Sequence, residues 1–297
     1  AITVLSFIAL ILAGMSPFDA INHSFSVTAT GGFSTRNLSI GAYDSPLIEF
    51  VLMLFMVIST IHLGLLYASF ASRSARVFRD PVTRFYLITI LVSIVFVTLS
   101  LMLGGGEKNA LQALREGAFS VVTTISTTGF AISDTSGWPI LAVLILFYVS
   151  IQCGCSGSTS SGVRSDRMFL IFKGVRVQII KMAHPNAVVQ VKSGGQVVDK
   201  ELLSSVYTYL FLYLFLAFVG AVIYAMTGMG LMESVSSSIS MMSNIGPAFG
   251  EYGSMSSFAD APQIAKFVMG VQMIVGRLGL YPVLLLFTLF RKNVRWQ

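Results

Sequence analysis

Charge is what this chain has least of. Asp, Glu, Lys and Arg make up 11% of its 297 residues against 55% hydrophobic ones, with a mean hydropathy of +0.80, and that balance excludes an ordinary soluble protein. Cysteine is almost missing. The only two, Cys153 and Cys155, are one residue apart, which strains an intrachain disulfide, and without His or Asp beside them they make no zinc site; they read as small buried residues. Of the three histidines, His23 reads as a pore-helix surface residue, His62 as a hydrogen bond between spans and His184 as part of a linker turn. None has a carboxylate or nucleophile at catalytic spacing, so the chain is not read as an enzyme. No glycine-rich nucleotide motif occurs, so ATP or NAD would have to act through another subunit. No low-complexity tract or soluble domain is present, and the 23 Phe imply membrane-facing and core packing, with no cofactor box.

What the chain does have is apolar length. Phe85–Leu103 and Leu202–Met226 run 19 and 25 residues without a charge, against the roughly 20 that a bilayer core requires. Pro46–Phe70 and Ile264–Phe290 are as long but carry Glu49 and His62, or Lys266 and Arg277, and Trp138–Cys153 continues brokenly to Phe172. Ala1–Met15 is apolar but short, starts on alanine and has nothing basic before it; it reads as the cut end of a span in a larger protein, not as a signal peptide.

The net charge of +6 has a topological meaning. Fourteen of the nineteen Lys and Arg fall in Arg73–Arg84, Arg164–Lys200 and Arg291–Arg295, which lie on one side if the spans are counted in hairpin pairs. By the positive-inside rule that side is cytoplasmic. No aromatics interleave with these charges, so nucleic acid is not the expected partner.

Three times a hydrophobic span leads into a Ser/Thr-rich segment that ends on glycine and leaves through a second span: Phe25–Phe33, Phe119–Phe130 and Ser237–Gly250. Their glycines Gly32, Gly129 and Gly246 are 97 and 117 residues apart, the length of a two-span hairpin. Polar, glycine-broken backbone at membrane depth is tolerated only where protein buries it or where it lines a watery path, and such carbonyls can replace an ion's hydration shell. A short pore helix is expected before each: one opened by Ser16-Pro17-Phe18-Asp19, one at Ala110–Ile125 after Lys108-Asn109, and one at Leu231–Met242 with Glu233 in its first turn. Twelve helical residues cover about 18 Å, so each helix ends near mid-membrane with its negative dipole end toward the cavity, which favours a cation. Thr30, Gly31 and Gly32, then Thr127, Thr128 and Gly129, then Asn244, Ile245 and Gly246 are the expected ion-binding residues. The competing reading is small and hydroxyl residues that pack helices together.

These residues resemble the Trk/Ktr/HKT superfamily of potassium and sodium uptake proteins, and within it the bacterial Trk potassium subunit. The matching strings are TGGFST at Thr30–Thr35, TTISTTGFA at Thr123–Ala131, CGCSGSTSSG at Cys153–Gly162, HPNAV at His184–Val188, SNIGPAFG at Ser243–Gly250 and GRLGLYPVLLLF at Gly276–Phe287. The resemblance implies an all-α integral membrane fold of span, pore-helix, filter-loop and span hairpins set pseudo-fourfold around a central pore. By the resemblance this chain shows three of the four, the second to fourth, and three loops cannot close a four-fold filter. The expected division is a truncated pore repeat (1–70), a cytoplasmic linker (71–84), a pore repeat with a broken inner span (85–172), a second linker (173–201), a third pore repeat (202–290) and a cytoplasmic tail (291–297).

The resemblance also places residues 153–162 beneath the filter as a gate loop, with Gly154, Gly157, Ser158, Thr159 and Gly162 in it; five Ser/Thr and three Gly among ten residues cannot remain a lipid-facing helix. The plainer alternative is a kink packed by small residues. Arg277 stands far from either end of its span and cannot easily snorkel, which costs about 2.5–3.5 kcal/mol unless water or a partner receives it. The resemblance puts it in the pore below the filter as a barrier that also attracts gate-loop carbonyls; a structural arginine is the alternative. Family members commonly have Glu where Gly279 stands. Implied besides are potassium as the transported ion, no organic cofactor, a homodimer, and a cytoplasmic nucleotide-binding, TrkA-like regulator docked on the basic linkers of a multi-pass protein of the cell membrane. A sodium-permeable pore or an ion-coupled secondary transporter of the same fold is the rival reading, with Glu49 as the main candidate acid for coupling.

Overall fold

The computed structural model describes residues 1–72, 76–104 and 109–289, with side chains to residue 286. Arg73, Lys108 and the tail 291–297, which enter the charge and domain expectations, lie outside the described residues. Three units follow one another, each an outer helix, a re-entrant helix and a broken inner helix. The first is α1 (Ile2–Leu12), α2 (Pro17–Thr28) and the pair α3 (Pro46–Ser59) and α4 (Leu63–Ala71). A single turn, α5 (Arg76–Arg79), leads to α6 (Pro81–Leu103), α7 (Ala110–Ile125), and the pair α8 (Ile140–Gln152) and α9 (Ser165–Ala183). The third is α10 (Lys200–Met226), α11 (Leu231–Ser243), and the pair α12 (Gln263–Leu278) and α13 (Leu280–Leu289).

Local chemistry sets the helix starts. Ser16 caps α2 by accepting from the Asp19 amide, with Pro17 at the first position; Asp80 caps α6 through the Thr83 amide, with Pro81 following. The α7 limits are those expected, and α11 overruns its expected end by one residue.

The outward faces are more apolar than the inward ones. On α10, Phe211, Leu214, Phe215, Phe218 and Val222 are exposed, while Tyr209, Tyr213, Ala217, Gly220 and Tyr224 are buried. Soluble helices show the reverse, so lipid is the natural neighbour of this face. α6 and α10 are each long and apolar enough to cross a membrane. Inside, the re-entrant helices pack among the spans: α2 against α1 and α3, α7 against α6, α8 and α3, and α11 against α10, α12 and α8. α11 buries Ser234, Ser236, Ser237, Ser238, Ser240 and Ser243, a polar interior where Ser238 Oγ donates to the Ala217 carbonyl and Gln272 Nε2 donates to Ser238.

Two expected spans are not continuous. Pro46–Phe70 bends by 95° between α3 and α4, and Ile264–Phe290 by 108° at Gly279, whose φ is +88°. Apolar composition carries through both breaks, so hydropathy alone sees one helix; at the first, freed backbone groups find partners in residues 155–159. α9 also runs to Ala183, well into the stretch expected as linker, and residues 192–197 form a small hairpin, Lys192–Ser193 against Gln196–Val197.

Glu49 does not stand at mid-span. It lies in the first turn of α3, 2% exposed, and Arg115 of α7 grips both its oxygens at 2.7 Å while also reaching Asp44 at 3.0 Å. This bidentate pair clamps the second re-entrant helix to the first unit. Breaking a buried pair costs about 3–5 kcal/mol, and the 32% exposure of Arg115 and its remaining Asp44 contact reduce that. Glu49→Gln should therefore lower the thermal midpoint of the detergent-solubilised protein by several degrees and leave ion preference unchanged; an unaltered midpoint would remove the clamp role.

Candidate functional site

Each re-entrant helix ends in the same backbone turn despite different sequences. Thr30, Thr127 and Asn244 are left-handed, with φ of 52°, 55° and 56°. Two residues later Gly32, Gly129 and Gly246 again have positive φ, at 70°, 84° and 106°. The residue between donates its amide to the carbonyl five positions back: Gly31 to Ser26, Thr128 to Thr123 and Ile245 to Ser240, at 2.8, 3.0 and 3.0 Å. The preceding amides, of Thr30, Thr127 and Asn244, bond to the carbonyls three back. Amides are thus tied to the helix ends, and no backbone amide among the described residues donates to the carbonyls of these nine residues. Left-handed geometry is costly for a β-branched threonine and easy for glycine, so the surrounding packing must enforce it at positions 30 and 127.

The loops touch in sequence. A Cβ on Gly32 would lie 1.9 Å from the Thr128 carbonyl oxygen, and one on Gly129 would lie 2.0 Å from that of Ile245. The third residue of each of the first two loops therefore packs on the middle carbonyl of the next. Such a set of unpaired carbonyls at the C-terminal ends of three helices is suited to a dehydrated monovalent cation.

Directly against these loops runs Cys153–Arg164, the break between α8 and α9. It is held by its neighbours' freed backbone. Cys155 N donates to the Thr60 carbonyl at 2.9 Å, Leu63 N to the Gly157 carbonyl at 3.2 Å and Thr159 Oγ1 to the Ser59 carbonyl at 3.3 Å, which together satisfy the gap between α3 and α4. Gly154, Gly157 and Gly162 are needed for close approach: a Cβ would lie 2.9 Å from Thr60, 2.8 Å from His62 and 2.4 Å from Cys153 respectively. Ser158 Oγ donates to the Cys155 carbonyl at 2.6 Å, and Tyr209 OH to the Gly162 carbonyl at 3.4 Å. Cys153 and Cys155 are free, buried thiols.

Arg277 is brought to this loop, its Nη1 donating to the Thr159 carbonyl at 2.8 Å and to Ser161 Oγ at 3.3 Å. Its setting differs from the expectation: it occupies the last turn of α12 beside the Gly279 bend, not the middle of a continuous span. His23 is fully buried and bonded to Ser34 Oγ at 2.9 Å behind the first loop, not on a helix surface. His62 caps α4, accepting from the Leu65 amide at 3.3 Å, and does not link two spans. His184 ends α9 in a turn closed by the Ala187 amide.

The structure is thus a helical membrane protein of repeated hairpins whose re-entrant loops converge over an intramembrane loop. The TrkH family, cation transport proteins, matches over residues 1–295, and the chain belongs to that family. It is 35% identical over 288 residues to the Trk system potassium uptake protein TrkH of Halomonas elongata, covering 97% of this chain and 59% of that protein. For TrkH of Escherichia coli K12 the identity is 32% over the same coverage. The crystal structure of the potassium transporter TrkH from Vibrio parahaemolyticus superposes with a TM-score of 0.88 at 30% identity, over 96% of this chain and 61% of that one. The chain spans about three fifths of the length of these relatives.

Proposed function

We propose that this chain contributes three quarters of a pore that admits potassium passively across the cell membrane, with Thr30–Gly32, Thr127–Gly129 and Asn244–Gly246 as filter and Cys153–Gly162 with Arg277 as gate. The observation that carries the reading is the threefold backbone turn, which leaves carbonyls unpaired beside the packed Cys153–Arg164 loop. The relatives' names, potassium uptake proteins, support the ion, and glycine at all three filter positions fits it by family resemblance. A homodimer, a cytoplasmic TrkA-like nucleotide-binding partner on the basic linkers, and cytoplasmic placement of those linkers belong to the same reading, as does the division into three pore repeats with linkers between.

Ion-coupled alternating access is disfavoured because Glu49, its best acid, is locked in an ion pair away from the loops. Single-channel recording of the full-length protein decides between them: resolvable unitary potassium currents support a pore, and their absence alongside coupled uptake overturns it. Potassium against sodium is read from the reversal potential in the same recordings. Shortening the 154–162 segment is expected to raise potassium flux with selectivity unaltered, since a loop below the filter obstructs without selecting. Unchanged flux would make the segment a packed kink.

A further inference from the structure

The two candidate elements, filter and gate, share hydrogen bonds that neither role requires. Thr127, the innermost residue of the second loop, accepts from the Ser161 amide at 3.4 Å and exchanges a hydrogen bond with Ser160 Oγ at 3.2 Å. Thr30, in the equivalent place in the first loop, shares its one hydroxyl proton between the Ala29 carbonyl at 2.7 Å and the Thr159 carbonyl at 3.1 Å. The three gate-loop partners are consecutive residues. The third loop differs: Asn244 Nδ2 donates to the Met273 carbonyl of α12 at 3.0 Å, and Arg277, one turn further along that helix, makes the contact with Thr159 and Ser161. Gly276 between them lies so close to the end of α11 that a Cβ would be 2.1 Å from the Met242 carbonyl oxygen, so α12 is packed directly on the third loop's helix. Every one of the three loops is therefore tied to the gate segment, two directly and one through a helix.

We propose that Thr30 and Thr127 latch the gate loop to the filter, so that releasing the loop and completing the innermost cation site are one coupled event. This rests on the conduction reading above. Accepting from the Ser161 amide occupies a lone pair of Thr127, while Thr30 donates to the loop, keeps its lone pairs and is buried against it; once the loop leaves, both oxygens are open to a cation at the lower mouth of the filter. A cation that binds there better when the loop is released must, by linkage, favour release. Both threonines are buried, at 3% and 0% exposure, so their hydrogen bonds are not in competition with bulk water while the loop is in place. The pairing also gives a reason for two β-branched residues to be held in left-handed backbone.

The test is single-channel recording of the full-length protein in planar bilayers, with Thr127→Val, Thr127→Ser, Ser160→Ala and the Thr127→Val/Ser160→Ala double variant, across potassium concentrations. In the parent the open fraction should rise with potassium. Thr127→Val, which keeps the shape and loses the hydroxyl, should raise the open fraction at low potassium by roughly five- to ten-fold, the worth of one net hydrogen bond, and flatten its potassium dependence. Thr127→Ser should restore both. Ser160→Ala approaches the latch from the loop side and should act in the same direction, with the double variant adding less than the two singles combined. A conducting parent in which Thr127→Val leaves the open fraction and its potassium dependence unchanged, or in which Ser160→Ala and Thr127→Val act independently, overturns the latch alone. A parent that passes no potassium current overturns the conduction reading, and the latch with it.

Discussion

Gly129→Ala is expected to lower the potassium-over-sodium permeability ratio at least ten-fold while the protein still inserts and assembles. Two independent costs fall on this residue. Its φ of 84° is disfavoured for any residue with a Cβ, by about 1–2 kcal/mol. The added carbon would also stand 2.0 Å from the Ile245 carbonyl oxygen, a backbone atom that cannot swing aside as a side chain could. Relief requires one loop to shift against the other, which moves carbonyls of both by a large fraction of an ångström. A ten-fold loss of discrimination is only about 1.4 kcal/mol, less than the strain available. Gly32→Ala should behave alike, since its Cβ would meet the Thr128 oxygen at 1.9 Å with φ of 70°. Gly31→Ala is the control. Position 31 is the middle of its loop, where the other two loops carry Thr128 and Ile245, and its Cβ would meet a movable Phe33 ring at 3.3 Å. Reversal potentials under mixed potassium and sodium give all three ratios. If Gly129→Ala matches the parent, or if Gly31→Ala is as damaging, the loop-on-loop packing does not set selectivity.

The contrast between Gly31 and Gly129 also marks how far the sequence alone reaches. Glycine in each loop, the capped start of α2, and the length of α6 and α10 are local signals, and each led to the observed element. The left-handed turn at Thr30, Thr127 and Asn244 was not legible, because threonine disfavours it and only the packed ends of three re-entrant helices impose it. The same holds for the bends at Thr60–His62 and at Gly279. A hydropathy window averages across them, while the reason for the first bend is supplied by Cys155, Gly157 and Thr159, about 95–100 residues away. His62 and Gly64 beside it were the available hints: a side chain able to cap a helix and a residue that tolerates its close approach. His23 was misplaced, and the partner of Glu49 was not legible, for a related reason. Charge and polarity in an apolar stretch point to function or to a satisfied partner with equal force, and only the distances to Arg115 and Ser34 choose the partner.

Arg277→Ala should raise potassium flux about ten-fold with little change in selectivity. The guanidinium and the Thr30 hydroxyl both bond to one oxygen, that of Thr159, at 2.8 and 3.1 Å, so the positive charge lies within about 6 Å of the innermost filter residue. At an effective dielectric constant of 20 a charge at that distance opposes a passing cation by about 3 kcal/mol. Arg277 is exposed in the isolated chain, so water and salt screen the interaction, and a ten-fold effect, about 1.4 kcal/mol, is the fitting expectation. The same side chain fastens the proposed gate loop through Thr159 and Ser161, and its loss loosens that loop as well. Lysine separates the two contributions. Arg277→Lys keeps the charge but gives up the planar guanidinium that reaches both partners, so a purely electrostatic barrier predicts parental flux and a pure clasp predicts the alanine result. Ionic strength provides a second axis, because an electrostatic barrier weakens as salt rises and a clasp of neutral acceptors does so far less. The geometry, with charge and clasp in one group, predicts that Arg277→Lys falls between parent and alanine and that the gap between parent and alanine narrows in high salt. Flux of the alanine variant equal to that of the parent, in protein that is folded by its thermal midpoint, would leave Arg277 without either role.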